Sequence, residues 1–121
     1  MKAVIFFAHG SRRPNANQVF YQLAEKVTEQ LNLEVFEVAF VEKSLPSFLN
    51  SFKSCIKKGA ASIRVYPAFL SSGIHLLRYL ADEIQKARSA HSRITIRTAL
   101  PLGEHPIPQG LVARIADEEL R

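Results

Sequence analysis

Two histidines and a glutamate stand where this chain has room for chemistry. His9 follows the apolar run Ala3 to Ala8, Glu42 follows a second run ending at Val41, and His75 follows the loop after a third. Neutral imidazole and carboxylate together suit a divalent first-row metal. An imidazole also exchanges a proton near neutral pH, so either histidine could serve as a base. Beside them lie Gly10-Ser11-Arg12-Arg13, then Lys43, and then Ser71-Ser72-Gly73. Glycine lets a backbone approach an anionic group, and arginine makes bidentate bonds to carboxylates. The plainer alternatives are a helix-capping histidine for either His9 or His75 and an ordinary turn with solvated arginines for residues 10–13.

Other chemistries lack their motifs. The GxxxxGK[ST] and GxGxxG phosphate loops are absent, and no GxSxG elbow surrounds Ser11. The single cysteine, Cys55, excludes an internal disulfide and a CxxC site, and its place on an apolar helix side reads as core. His91 falls in a polar link and reads as solvated, whereas His105 lies between proline-rich turns.

The elements that must position these residues alternate regularly. Apolar runs at Ala3–Ala8, Leu33–Val41, Ser62–Ala68 and Arg93–Ala99 read as strands. Between them, Asn17–Leu31 repeats Phe20, Leu23, Val27 and Leu31 at helical spacing, with Asn15 or Asn17 as cap. A second helix starts near Pro46, carries Phe48, Leu49, Phe52 and Ile56, and ends at Lys57-Lys58-Gly59. A third opens at His75 with Leu76, Leu77, Leu80 and Ile84. A last one follows Pro101-Leu102-Gly103-Glu104-His105-Pro106 and carries Leu111, Ile115 and Leu120.

Strands separated by helices imply right-handed crossovers and a four-stranded parallel sheet flanked by helices, about half of a doubly wound, flavodoxin-like domain. Ligands of such sheets bind beyond the carboxyl ends of the strands. His9, Glu42, His75 and the Glu104-His105 pair all follow such ends, so one edge of the sheet collects them. That shared edge favours a site over two separate caps.

The whole chain of 121 residues reads as one domain, 1–121. A hydrophobic fraction of 47% and a charged fraction of 22% fit an ordinary globular protein rather than a disordered one. No apolar run approaches the roughly 18 residues of a membrane span. The start runs into polar loop residues without a cleavage site, so the expected compartment is the cytoplasm. Sixteen basic against eleven acidic residues leave a net charge of +5. The basic residues are scattered and Trp is absent, so neither a nucleic-acid platform nor a membrane surface is expected. A polyanionic small substrate suits this charge better. A sheet of half the usual size also gains from dimerisation.

The residues resemble a known family. AHGSR at 8–12, AFVEKSLPS at 39–47, YPAFLSSGIH at 66–75 and PLGEHP at 101–106 are similar, in order, to the class II chelatases of tetrapyrrole biosynthesis, especially the short CbiX sirohydrochlorin chelatases. The first and third stretches are the more specific. The resemblance implies a chelatase-like lobe in which His9, Glu42 and His75 hold the metal and do the catalysis. Ser11, Arg12, Arg13, Lys43, Ser71, Ser72 and Gly73 would then meet the macrocycle.

The implied activity is that of a metal-inserting lyase, a sirohydrochlorin cobaltochelatase of cobalamin biosynthesis. The divalent metal is a substrate, Co²⁺ first, with Ni²⁺ or Fe²⁺ as alternatives, and no organic cofactor is expected. Longer family members hold two lobes in one chain, so a single lobe implies a homodimer with the macrocycle between subunits. The family commonly carries an acidic pair and a proline soon after its second histidine. Here Leu76, Leu77, Arg78 and Tyr79 follow instead, with acids at Asp82 and Glu83. A non-catalytic metal or tetrapyrrole carrier is therefore a second reading, and a phosphate-binding flavodoxin-like module a third.

Overall fold

The computed structural model describes residues 1–11, 13–41, 46–69 and 74–121. Arg12, Glu42, Lys43, Ser44, Leu45, Leu70, Ser71, Ser72 and Gly73 lie outside the described residues. The order is β1 (Lys2–Ala8), α1 (Pro14–Leu31), β2 (Val35–Phe40), α2 (Phe48–Lys57), β3 (Ser62–Pro67), α3 (Ile74–Ala90), β4 (Thr95–Thr98), a 3₁₀ turn (Leu102–Glu104) and α4 (Pro106–Glu119). The four strands form one parallel sheet, as the alternation predicts, and their order is β2-β1-β3-β4.

Strand alternation divides the side chains between two faces. Ala3, Ile5 and Phe7 of β1 line up with Val35 and Ala39 of β2 and with Ile63 and Val65 of β3. They form the main core with Phe48, Phe52 and Cys55 of α2 and Leu80, Ile84 and Ala87 of α3. The opposite face has a smaller cluster, in which Ala8, Val38 and Phe40 meet Ala24 of α1 with Phe20 packed against them. The core is therefore one-sided.

Several helix ends differ from the sequence expectation. Helix α1 begins at Pro14 in its first turn with Arg13 as N-cap and no side-chain cap. Proline's fixed φ suits that position, and its missing N–H costs nothing there. Asn17 is thus inside the helix. At the other end Asn32 adopts φ 52, a left-handed C-cap that asparagine tolerates. Helix α2 is capped by Ser47, whose hydroxyl accepts from the Asn50 N–H at 3.2 Å while the Asn50 side-chain Oδ1 accepts from the Ser47 N–H at 3.4 Å. Pro46 precedes that cap instead of entering the helix. Gly59, at φ 100, closes α2 as the Lys57-Lys58-Gly59 ending predicts.

The apolar stripes are only partly covered. Phe48 and Phe52 are buried but Leu49 is exposed; Leu80 and Ile84 are buried but Leu77 is exposed. In α1, Phe20 and Val27 are half-buried and Ala24 is buried, while Leu23 and Leu31 stay exposed. In α4 no residue is buried. His91 is half-buried rather than solvated, with its ring 5.4 Å from that of Phe52. Among the described residues no helix is long and apolar enough to cross a membrane.

Candidate active edge

The sheet ladder continues past the strand ends and brings two loops to the tip of β1. The Val41 N–H donates to the Ala8 carbonyl at 3.1 Å, and the Ala68 N–H donates to the Phe7 carbonyl at 2.7 Å. The residues immediately before Glu42 and Phe69 are thereby fastened beside the residue immediately before His9. A further bond runs from the Phe40 N–H to the Pro46 carbonyl, 2.9 Å. Parallel topology makes this convergence unavoidable, because every strand ends on the same edge.

His9 is exposed at this tip. Its ring stands 5.5 Å from the buried ring of Phe69, at 63°. Phe69 in turn packs edge-on to Phe7 at 5.8 Å. Such tilted contacts restrict an aromatic ring's orientation, so the core of the lobe fixes how His9 is presented. Phe69 accordingly belongs to the core and also serves as the platform of His9. His75 is the second residue of α3 and is exposed at the same edge.

The loop between His9 and α1 is built around Ser11. Gly10 adopts φ 80, the left-handed region that favours glycine. The Ser11 N–H donates to Asn17 Oδ1 at 2.8 Å, and Asn17 Nδ2 donates to the Ser11 carbonyl at 2.9 Å. The Ser11 hydroxyl accepts from the Arg13 N–H at 3.1 Å. Arg13 is exposed at the N-cap of α1. The sequence offers Asn15 or Asn17 as the cap of α1; Asn17 instead bonds Ser11, in the loop between His9 and Arg13. Its position six residues after Ser11 gives no motif by which this could be found.

Of the residues proposed from sequence, His9, Ser11, Arg13 and His75 are described, and all lie at this edge. Glu42, Arg12, Lys43, Ser71, Ser72 and Gly73 lie outside the described residues. Among the described residues no three His, Cys, Asp or Glu side chains gather as a metal-holding group. His105, at the N-cap of α4, places Nε2 3.0 Å from the Leu100 carbonyl and so serves the turn it sits in. Cys55 is fully buried, and desolvation, reinforced by the nearby Glu37 carboxylate, pushes its thiol up to about 12. That excludes it as a nucleophile near neutral pH. Exposed Lys58 is raised by its 2.7 Å hydrogen bond and ion pair with Glu37, away from the active edge.

The CbiX family model matches residues 3–119, nearly the whole chain. The chain belongs to the CbiX family. A solved CbiX protein from Marinobacter aquaeolei, described as a putative cobalamin biosynthesis protein, superposes with a TM-score of 0.86 at 29% identity and covers 99% of this chain and 98% of that one. The sirohydrochlorin chelatase SirB of Bacillus subtilis subspecies spizizenii, solved in complex with cobalt, gives a TM-score of 0.82 at 28% identity over 96% of this CbiX chain and 50% of its own. The sirohydrochlorin cobaltochelatase of Methanocaldococcus jannaschii is 38% identical over 78 residues, 64% of this chain and 54% of that protein. Curated relatives carry both cobaltochelatase and ferrochelatase names. The chain spans about half the length, or less, of the curated relatives it matches.

Proposed function

We propose that this CbiX chain is a sirohydrochlorin chelatase lobe that inserts a divalent metal into the macrocycle, with cobalt as the first candidate and nickel or iron as alternatives. The observation that carries this reading is the convergence of His9 and His75 on the strand-end edge of a lobe matched by the CbiX model over residues 3–119. The names of its relatives support the substrate class, and the presence of both cobalt and iron names among them leaves the metal to experiment.

Insertion poses three physical problems. The metal must shed water, the macrocycle must lose two pyrrole protons, and the ring must pucker to admit the ion. His9 and His75, both solvent-exposed, hold the metal while leaving exchangeable positions open. Glu42 completes the donor set or receives a proton. Arg13, with Arg12 and Lys43, pairs with the carboxylates of the macrocycle, and the backbone and hydroxyls of Ser11, Ser71, Ser72 and Gly73 border it. The overall charge of +5 steers the polyanion toward the lobe. The metal and the macrocycle are substrates throughout.

The chain acts as one domain, residues 1–121, paired as a homodimer in the cytoplasm. The pairing is supported by the size ratio: SirB superposes on this lobe with half of its chain. A second copy then supplies the second wall of the cleft. The test is purified protein with sirohydrochlorin and Co²⁺, Ni²⁺ or Fe²⁺, followed by absorbance. Multiple turnovers with one metal support the enzyme; stoichiometric binding without turnover supports the carrier.

A further inference from the structure

His9 and His75 reach the active edge from elements far apart in the chain, one from the tip of β1 and the other from the first turn of α3. Two imidazoles hold one metal only if a nitrogen of each comes within about 2.1 Å of the same point. Both histidines are exposed, so neither ring is fixed by its own burial. Their spacing has to be set from beneath, and such support must be good to about 0.5 Å.

A chain of aromatic rings runs under this edge. The His9 ring stands against Phe69, and Phe69 meets Phe7 edge-on. Phe7 is in turn stacked on Tyr79, with centroids 6.4 Å apart and planes 14° from parallel. Phe7 is fully buried, and Phe48 of α2 closes on it edge-on at 6.1 Å. One immobilised ring of β1 thus touches both the platform of His9 and a residue of α3. Close packing transmits a displacement of any one of these rings to the next.

Tyr79 lies four residues after His75 on α3. Residues four apart share a helix face, and helical side chains lean toward the N-terminus. The Tyr79 ring therefore leans back toward the turn that carries His75. Tyr79 is half-buried and packs on the main core, as does Leu76, whereas Leu77 and Arg78 are exposed. Farther along, Leu80, Ile84 and Ala87 secure α3 with aliphatic contacts. Tyr79 is the one Phe, Trp or Tyr of this helix, and it stands at the end nearest the site. A flat ring stacked on another restricts orientation as well as distance, which an aliphatic contact does less well.

We propose that Tyr79 is a positioning residue for the metal-holding histidines. Its ring, stacked on Phe7, ties the helix turn that carries His75 to the same buried ring that holds His9 through Phe69. The proposal rests on the reading of His9 and His75 as the metal-holding pair, and says what sets the distance between them.

The test is titration of the protein with Co²⁺ alone, read by the visible absorption of the bound ion, whose bands report its coordination geometry. Tyr79→Leu should weaken Co²⁺ binding by roughly tenfold or more, the scale for a residue that orients a ligand, and should change the visible bands while circular dichroism is retained. Tyr79→Phe keeps the ring and should stay close to wild type. Phe69→Leu cuts the same chain at its other end. The double variant Phe69→Leu/Tyr79→Leu should therefore bind about as weakly as the worse single variant, because both substitutions break one linkage. If Tyr79→Leu does not fold, Tyr79→Met refills the volume without a ring and is read in its place. Wild-type affinity and bands in the folded ringless variant overturn the proposal, as does a Tyr79→Phe variant that falls as far as Tyr79→Leu. Fully additive losses in the double variant overturn the continuous chain of rings. The macrocycle is absent from this titration, so the two readings separate. A wild type that binds Co²⁺ through both histidines but inserts none into sirohydrochlorin overturns the chelatase reading and leaves Tyr79 as the positioning residue. Co²⁺ binding that is untouched in His9→Ala and His75→Ala overturns the positioning role itself.

Discussion

Asn17 grips Ser11 by both of that residue's backbone groups, accepting from its N–H at 2.8 Å and donating to its carbonyl at 2.9 Å. One amide side chain in α1 thus replaces the sheet ladder just where β1 ends and the chain must turn. The left-handed Gly10 makes the turn, and Asn17 holds it. Since His9 precedes and Arg13 follows, the brace ties the presentation of both to the first turn of α1.

Asn17→Ala should therefore weaken the fold and the site together. Loss of two part-buried hydrogen bonds costs roughly 1–2 kcal/mol and lowers Tm by about 5 °C. Asn17→Asp keeps the acceptor for the Ser11 N–H but cannot donate to its carbonyl, so it should fall between. Thermal denaturation beside the rate of metal insertion checks this. A Tm unchanged in Asn17→Ala would mean that the loop holds itself.

His9→Ala and His75→Ala should each remove metal insertion by roughly a hundredfold or more, the scale of a positioned acid or base. Both side chains are exposed, so neither truncation opens a core cavity. Glu42→Gln should act more mildly, because the amide keeps shape and one acceptor but not charge. Initial rates with circular dichroism as folding control measure this. Near-normal rates in folded histidine variants would remove them from the site.

Arg12→Ala/Arg13→Ala should weaken macrocycle binding more than metal binding, and most at low salt, where carboxylate attraction is least screened. Titration of sirohydrochlorin by absorbance at two ionic strengths reads both effects. Equal affinity in variant and wild type at low salt would return both arginines to solvent.

Cys55 makes stability fall in alkali. Its thiol ionises near 9.0 when the chain is unfolded and only at about 12 in the fold. Between those values the folded state keeps a proton that the unfolded state has lost. Stability is then lost as pH rises, by up to about 1.4 kcal/mol per pH unit. Lys58, also raised in the fold, contributes in the same direction above its ordinary range. Denaturant midpoints at pH 8 and pH 10 should show a decline in wild type that Cys55→Ala reduces. Equal declines in both proteins would assign the effect elsewhere.

The local pattern was sufficient for the elements and for the edge that carries the site. Period-two and period-3.6 spacing of apolar residues marks four strands and four helices, and an alternation of the two leaves little choice but a parallel sheet. Once the strands are parallel, His9 and His75 must fall on one edge, because each follows a strand in the chain. Gly59 could be read as a helix end from its neighbours alone, since the constraint is local.

What tertiary structure decided involves contacts between residues far apart or surfaces that no spacing records. Asn17, one of the two caps that the sequence offers, is a brace instead, because Pro14 starts the helix earlier and the amide meets Ser11. His91 found the ring of Phe52, 39 positions away in the chain (91 less 52), which no local pattern announces. Most of all, the stripes of α1 and α4 look alike in sequence, yet one is partly covered and the other wholly exposed. An apolar stripe says that a helix seeks a partner; only the packing of the lobe reveals whether that partner lies within the same chain.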